Sequence, residues 1–355
     1  MRSTIQKCGL FVLGCLLAAG LGLALLEGDS APAEAAVIVR APSMEIAFEA
    51  VESVGGSVTH ELGIIDAVAA RLTPAQLERL QQRDDDLRIH EDGLALTASP
   101  SNSPETGSSL IPYAAAPMLV EADTLHDQGT LGGGTTVAVI DSGINVRMAV
   151  LNDTSGNWKL LGHYDAILDE EPKNIWTFQG SDLNGHGSHV SAIAISADLE
   201  SNSTKRNGVA PNASLVAIRA FDENGQGTYA DVIRGLDWAV ANKDRFGIRV
   251  LNLSFSAPAR SRYWEDPMNL AVMRAWQAGI VVVASAGNGG PDPMTIGVPG
   301  NVPYVITVGA MSDNFSPDTG GDDVLASFSS AGTTVEAFVI PEVIAHGGHV
   351  VSTMG

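Results

Sequence analysis

The chain has 355 residues, of which 45% are hydrophobic and 17% charged, with 38 Gly and 17 Pro. That length suits about two domains of roughly 150 residues each, and the composition excludes a disordered or low-complexity chain. Lys and Arg number 20 against 41 Asp and Glu, a formal net charge of -21; such a field repels phosphate backbones and anionic surfaces, so nucleic acid is not an expected partner.

Arg2 and Lys7 precede an apolar run from Cys8 to Leu26, and Ala31-Pro32-Ala33 and Ala33-Glu34-Ala35 offer small-residue cleavage points. Residues 1–36 therefore read as a signal peptide, and the remainder as a secreted protein. One alternative is a retained membrane anchor, because the run from 8 to 26 just reaches across a bilayer; a lipidated Cys15 is the other. Cys8 and Cys15 are the only cysteines, so the chain after the leader has no disulfide, thiolate metal site or cysteine nucleophile.

Residues 37–96 read as a small α+β module of ferredoxin-like βαββαβ pattern. Val37-Ile38-Val39, Val58 to Leu62, Ala67 to Leu72 and Leu87-Arg88-Ile89 are strand-like, and Met44 to Val54 is helical. Thr73 suits an N-cap and Pro74 the first position of a second helix, with Leu77 and Leu80 on its apolar stripe. Residues 97–112 open with a stretch of Ser, Pro, Gly and other small or polar residues and read as a linker where proteolytic maturation is expected.

From residue 113 onward a larger domain alternates buried strands with helices. Thr135 to Ile140, Leu215 to Phe221, Ile248 to Leu253, Ile280 to Ser285 and Tyr304 to Val308 are continuous apolar runs. Strands covered on both faces look like this, which predicts a parallel sheet in a three-layer α/β domain. One helix spans Tyr229 to Asp244, with Val232, Leu236, Ala239 and Val240 inward. Another opens at Asp266-Pro267 and closes at Gly279, with Leu270, Met273 and Trp276 on one stripe.

In open α/β sheets the reacting groups gather beyond the carboxyl ends of the strands. Three places there carry chemistry. Val137 to Gly143 delivers Asp141 from a strand end into a Ser-Gly turn, where a carboxylate serves equally as a cap. Asn184 to Val190 sets His186 at the start of a helix between glycines, as a general base needs; packed polar histidines or a metal pair are the alternatives, although His186 and His189 are three apart with no Glu between them, which disfavours zinc. Val281 to Gly290 ends in small residues and Asn288, which suits either an oxyanion donor or an Asn-Gly turn.

Asp141-Ser142-Gly143, His186-Gly187-Ser188-His189-Val190, Gly208-Val209-Ala210-Pro211, Leu251-Asn252-Leu253-Ser254 and Ser285-Ala286-Gly287-Asn288 stand in the order found in the subtilisin-like serine proteases, which residues 37–355 resemble. The resemblance implies a subtilisin-like catalytic domain over 113–355, with Asp141 orienting His186, His186 as general base and Asn288 as oxyanion donor. It implies a polypeptide substrate extended between Gly225-Gln226-Gly227 and Ser254-Phe255-Ser256, with Ser285, Ala286 and Gly287 walling the first specificity pocket. Ser256 stands where the family has glycine, which narrows or reshapes that pocket. Residues 37–96 resemble the family's propeptide, a folding template that then occupies the cleft as an intramolecular inhibitor. No cofactor is required for the chemistry. A structural calcium is compatible with Asp198, Glu200 and Asn202 in the loop Asp198 to Asn207, which also reads as a plain acidic loop.

The family carries its serine nucleophile in Gly-Thr-Ser-x-Ala, and these 355 residues do not contain that motif. Gly332-Thr333-Thr334 lies in an upstream segment and offers Thr, Ser352 lacks the flanking pattern, and His346 stands where proline is usual. The expectation is a secreted serine endopeptidase whose nucleophile lies beyond residue 355, with the chain as it stands inactive. The alternatives are a non-catalytic peptide-binding pseudoprotease and a decayed gene product.

Overall fold

A computed structural model describes residues 33–83, 86–97, 115–173, 182–199, 204–312, 314, 321–348 and 350. The apolar run from 8 to 26, the leader's cleavage points up to residue 32 and the linker from 98 to 112 lie outside the described residues. The chain divides after Ala33, and residues 34–355 form one unit.

The unit begins with β1 (Ala35–Arg40), α1 (Met44–Ser53), β2 (Ser57–Leu62), β3 (Ala67–Leu72), α2 (Pro74–Gln81) and β4 (Arg88–Glu91). The hydroxyl of Ser43 accepts from Ile46 N at the start of α1, and Thr73 and Gln76 form a reciprocal capping box at the start of α2, so the local sequence fixes both helix starts. The strands pair antiparallel in the order β2-β3-β1-β4. Alternation along β1 sends Val37 and Val39 into a core shared with Ala47, Val51 and Leu80. Ile38 points to the other face and joins Leu62, Ala67 and Ala69 in the core of the larger domain.

Next come β5 (Leu94–Thr97), α3 (Ala115–Leu119), α4 (Ala122–Asp127), β6 (Thr136–Asp141), β7 (Leu160–Asp165), α5 (His186–Ile195), β8 (Ser214–Arg219), β9 (Gln226–Thr228), α6 (Tyr229–Ala241) and α7 (Lys243–Phe246). They are followed by β10 (Ile248–Leu253), β11 (Phe255–Ser256), α8 (Pro267–Gln277), β12 (Val281–Ser285), β13 (Ile306–Ser312), β14 (Val324–Leu325) and β15 (Val343–His346). The main sheet runs β14-β13-β12-β10-β6-β8-β7, with β15 also on β13, and every pair is parallel except β13 with β14. Its faces bury different cores, as the period of two requires. Ala138, Ile140, Val216 and Ile218 face α6 and α8, whereas Val139, Leu215 and Ala217 pack with Ala192 and Ile195 of α5. Helices on both faces make the domain the three-layer α/β arrangement expected.

Several expected boundaries move. Thr97, placed in the linker, is the last residue of β5, a strand the sequence reading did not anticipate. The helix expected over Tyr229 to Asp244 breaks at Asn242, which caps α6 before the short α7. The strand expected from Tyr304 starts at Ile306, with Tyr304 49% exposed ahead of it. On α8 the buried stripe is Met268, Ala271, Val272 and Ala275, while Trp276 is 45% exposed, its ring tilted against that of Tyr304 at 5.3 Å. Small residues let α8 lie close to its neighbours, and the bulky ring is turned outward.

Candidate active site

The candidate residues gather at the carboxyl end of the main sheet. Asp141 ends β6 and is fully buried. Its Oδ1 accepts from Ser142 N at 2.7 Å and lies 2.7 Å from Nδ1 of His186, the first residue of α5. Gly185 precedes that helix at φ 91, a left-handed turn that suits glycine. Gly187 is required by proximity, because a Cβ there would meet Gly143 O at 2.2 Å and Asp141 Cβ at 3.2 Å. The turn after β6 and the first turn of α5 therefore touch through bare backbone, which is what lets the ring reach the carboxylate. The hydroxyl of Ser188 accepts from Asn145 N at 2.9 Å and ties the same segments.

Sequence reading missed Asp182. Its Oδ1 accepts from Gly185 N and Ser142 Oγ, both at 2.8 Å, and its Oδ2 accepts from Ser188 N at 2.8 Å. A carboxylate over the N-terminal amides of α5 satisfies donors that the helix leaves free. No motif announces it, because the partner is set by a loop closure of the folded chain. Arg219, beside Asp141 in the sheet register, directs its charge to the buried Asp165 at 2.6 Å.

Burial opposes protonation of His186. The Asp141 carboxylate and its hydrogen bond, reinforced by Asp182, outweigh burial and raise the imidazole above its ordinary 6.5. With Nδ1 facing Asp141, Nε2 is the nitrogen left to exchange a proton with a reacting group. His189 points elsewhere, its Nε2 lying 3.3 Å from Val350 O, and burial lowers its pKa. The two histidines thus face different partners.

The segments expected to grip a polypeptide already hold one. β5 lies between β9 and β11, antiparallel to both, with Ala95 opposite Gly227, Leu96 opposite Gln226 and Ser256, and Thr97 opposite Phe255. Thr97 N donates to Gly225 O at 3.0 Å. Ala95 is fully buried in the same core as Phe255 and Tyr229, while Leu94 and Leu96 stand about half exposed. Gly93 O accepts from Tyr229 N, and Asp92 Oδ1 accepts from Ala230 N at 2.9 Å at the start of α6. His60 lies 3.1 Å from Asp231, Ile64 N donates to Asp237, and Arg260 pairs with Glu91.

Beyond Thr97 a cavity of about 520 Å³ opens, lined among others by Ser256, Ser285, Asn288, Gly297 and Ser330. Asn288 is exposed at its edge. Gly287 takes φ 105, with its N donating to Ser285 Oγ at 3.1 Å, and Gly289 N donates to Ser330 Oγ at 3.0 Å. Ala286 is buried, and its N donates to Val308 O. Ser254 accepts from Asn252 Nδ2 at 2.8 Å. The Ser256 side chain stands between two glycines, since a Cβ on Gly287 would lie 3.3 Å from its Oγ and one on Gly297 3.0 Å from its Cβ.

This fold, with its buried Asp–His contact at the strand ends, is of the subtilisin-like type, and comparison with known proteins places the chain in that family. The subtilase family matches residues 132–355; the chain belongs to that family. It is 38% identical to the serine protease AprX of Bacillus subtilis over 233 residues, 64% of this chain and 49% of AprX. It is 35% identical to subtilisin DY of Bacillus licheniformis over 66% of this chain and 72% of that protein, and 31% identical to subtilisin E of Bacillus subtilis over 84% and 66%. The chain thus spans about half the length of AprX. Among solved structures, fervidolysin from Fervidobacterium pennivorans, described as a keratinolytic enzyme related to subtilisin, superposes with a TM-score of 0.60 at 24% identity, covering 86% of this chain and 47% of fervidolysin; at that identity the likeness concerns the fold alone.

Proposed function

We propose that this chain carries the acid–base part of a secreted serine endopeptidase together with its own inhibitory propeptide. The observation that carries the reading is the 2.7 Å contact between buried Asp141 and Nδ1 of His186. In this reading His186 Nε2 takes the proton of a serine hydroxyl as its oxygen attacks the scissile carbonyl, then gives it to the leaving amine. Asp141 holds the ring and stabilises the imidazolium. The amide of Asn288 donates to the oxyanion. The serine belongs to a Gly-Thr-Ser-x-Ala segment C-terminal to residue 355, and the 355 residues alone do not hydrolyse peptides.

Residues 37–96 act as the inhibitor, and β5 supplies the substrate-like strand. A polypeptide substrate takes the same place between β9 and β11, so main-chain pairing gives affinity and the cavity beyond Thr97 gives selectivity. Maturation falls in residues 97–112, and residues 1–36 direct export.

A fluorophosphonate probe tests this reading on two proteins: the 355-residue chain and the gene product read to its natural stop codon. The expected result is one labelled serine in the longer protein, lost on His186→Ala, and no label on the shorter. A labelled serine within residues 1–355, or a stop codon directly after Gly355, would overturn it.

A further inference from the structure

Asparagine is followed by glycine at Asn184-Gly185, Asn207-Gly208, Asn224-Gly225 and Asn288-Gly289. The pair has a chemistry of its own, because a glycine nitrogen has no side chain beside it to hinder its attack on the preceding side-chain amide. Three of the four are restrained by the fold. Asn184 donates from Nδ2 to Glu223 O at 3.2 Å and accepts from His186 N at 3.3 Å, while Gly185 N donates to Asp182 Oδ1 at 2.8 Å. Asn207, downstream of Glu200 and Asn202, which lie outside the described residues, is 7% exposed, and Gly208 N donates to Ser196 O at 2.9 Å. Asn224 is exposed, but its Nδ2 donates to Asp222 Oδ2 at 3.3 Å and Gly225 N donates to Asp222 O at 3.1 Å.

Asn288-Gly289 differs on each count. Both residues are exposed at the rim of the cavity beyond Thr97, so water reaches them. Among the described residues no group hydrogen-bonds the Asn288 side chain, and Gly289 N donates to one rotatable hydroxyl, Ser330 Oγ, at 3.0 Å. Attack here requires one hydrogen bond to break, whereas at Asn224 two must break. In that attack the Gly289 nitrogen gives its proton to a solvent base and bonds Cγ of Asn288. The Cγ–Nδ2 bond breaks, and the nitrogen leaves as ammonia with a proton taken from water. A second water then opens the cyclic imide at either carbonyl, leaving an aspartyl or an isoaspartyl carboxylate at position 288.

We propose that Asn288-Gly289 is a site of spontaneous deamidation, which replaces the amide at the cavity's rim by a carboxylate and limits how long the site can work. The modification does not depend on the peptidase reading; its functional consequence rests on Asn288 as the oxyanion donor. An ionised carboxylate accepts hydrogen bonds and donates none, and it puts negative charge where the oxyanion would form.

Incubation of the 355-residue chain in mildly alkaline heavy-oxygen water, followed by peptide mapping, tests it, since the heavy isotope marks each carboxylate formed. Asn288 is expected to react about fivefold faster than Asn224, having one hydrogen bond of about 1 kcal/mol fewer to break, with Asn184 and Asn207 slower still. In denaturant the four pairs should react at similar rates, because the fold alone separates them. A Cβ on Gly289 would lie 3.5 Å from Ser330 Oγ and from Thr295 Cβ, an ordinary contact. Gly289→Ala is therefore accommodated, and its methyl group beside the nitrogen should slow the reaction at Asn288 about tenfold. An Asn288 rate no higher than that of Asn224, the native order persisting in denaturant, or an unslowed Gly289→Ala would overturn the proposal. In the gene product read to its natural stop codon, peptidase activity should fall in step with the modified fraction. Activity that persists once position 288 is fully modified would overturn the functional consequence, while the change in mass would still establish the modification.

Discussion

Replacing Asp141 by Asn separates the charge of the buried couple from its shape. The amide oxygen still accepts from Nδ1 of His186, so the loss is the difference between a charged and a neutral hydrogen bond, about 1–1.5 kcal/mol. At pH 5, with the imidazole protonated, that corresponds to a melting temperature lower by about 2–6 °C for a domain of this size. In the wild type the folded pKa of His186 is raised, so its stabilisation is complete below about 6.5, the unfolded value, and fades as pH rises through the folded value. In the variant burial acts with only Asp182 against it, the folded pKa falls below the unfolded one, and the contribution grows with pH in the same window. The difference between the two melting curves therefore shrinks from pH 5 toward pH 9. A titration of the His186 ring by NMR should show the pKa falling in the variant. A difference that stays constant with pH, or an unchanged ring titration, would refute the charge coupling.

Gly187→Ala should cost about 3 kcal/mol or more, read as a shift in denaturant midpoint, because its Cβ would meet the Gly143 carbonyl at 2.2 Å and neither backbone can move alone. Thr97→Pro removes the donor to Gly225 O and should raise amide exchange across residues 226–228 about fivefold; unchanged rates would show that β5 is not held by this pairing. Asp266 caps α8 through Met268 N and Asn269 N, and burial raises its pKa from 3.8 to about 6. The charged form thus costs the folded chain up to about 3 kcal/mol, and the cost develops as pH rises from 3.8 through 6. Asp266→Asn should match the wild type near pH 3 and exceed it in stability above pH 6; a variant less stable at pH 7 would show that the ionised cap outweighs its burial.

The site was legible where the sequence itself positions a group. Asp141 follows an unbroken apolar strand, and His186 starts a helix between glycines that only close backbone contact explains. Both were expected, and the structure brings them together. Asp182 was not, since it reaches α5 across a turn whose closure is a property of the folded chain. β5 escaped because Leu-Ala-Leu-Thr is too short to declare a strand, and it becomes one only where β9 and β11 offer edges on both sides. Its alternation, with Ala95 and Thr97 buried and Leu94 and Leu96 outward, was the signal available. On α8 two apolar stripes competed, and the sequence alone could not show that the small one would face inward.

The sheet that begins the chain has one face, through Ile38, Leu62, Ala67 and Ala69, whose covering lies in α6 and α8. During synthesis that face leaves the ribosome first, and its cover is complete only when Gln277 has emerged, some 180 residues later. At 5–20 residues per second the wait is about 10–40 s. For that interval the nascent chain carries an apolar sheet face without its partner, so the order of synthesis assigns a chaperone-sized task to the period between Thr97 and Gln277.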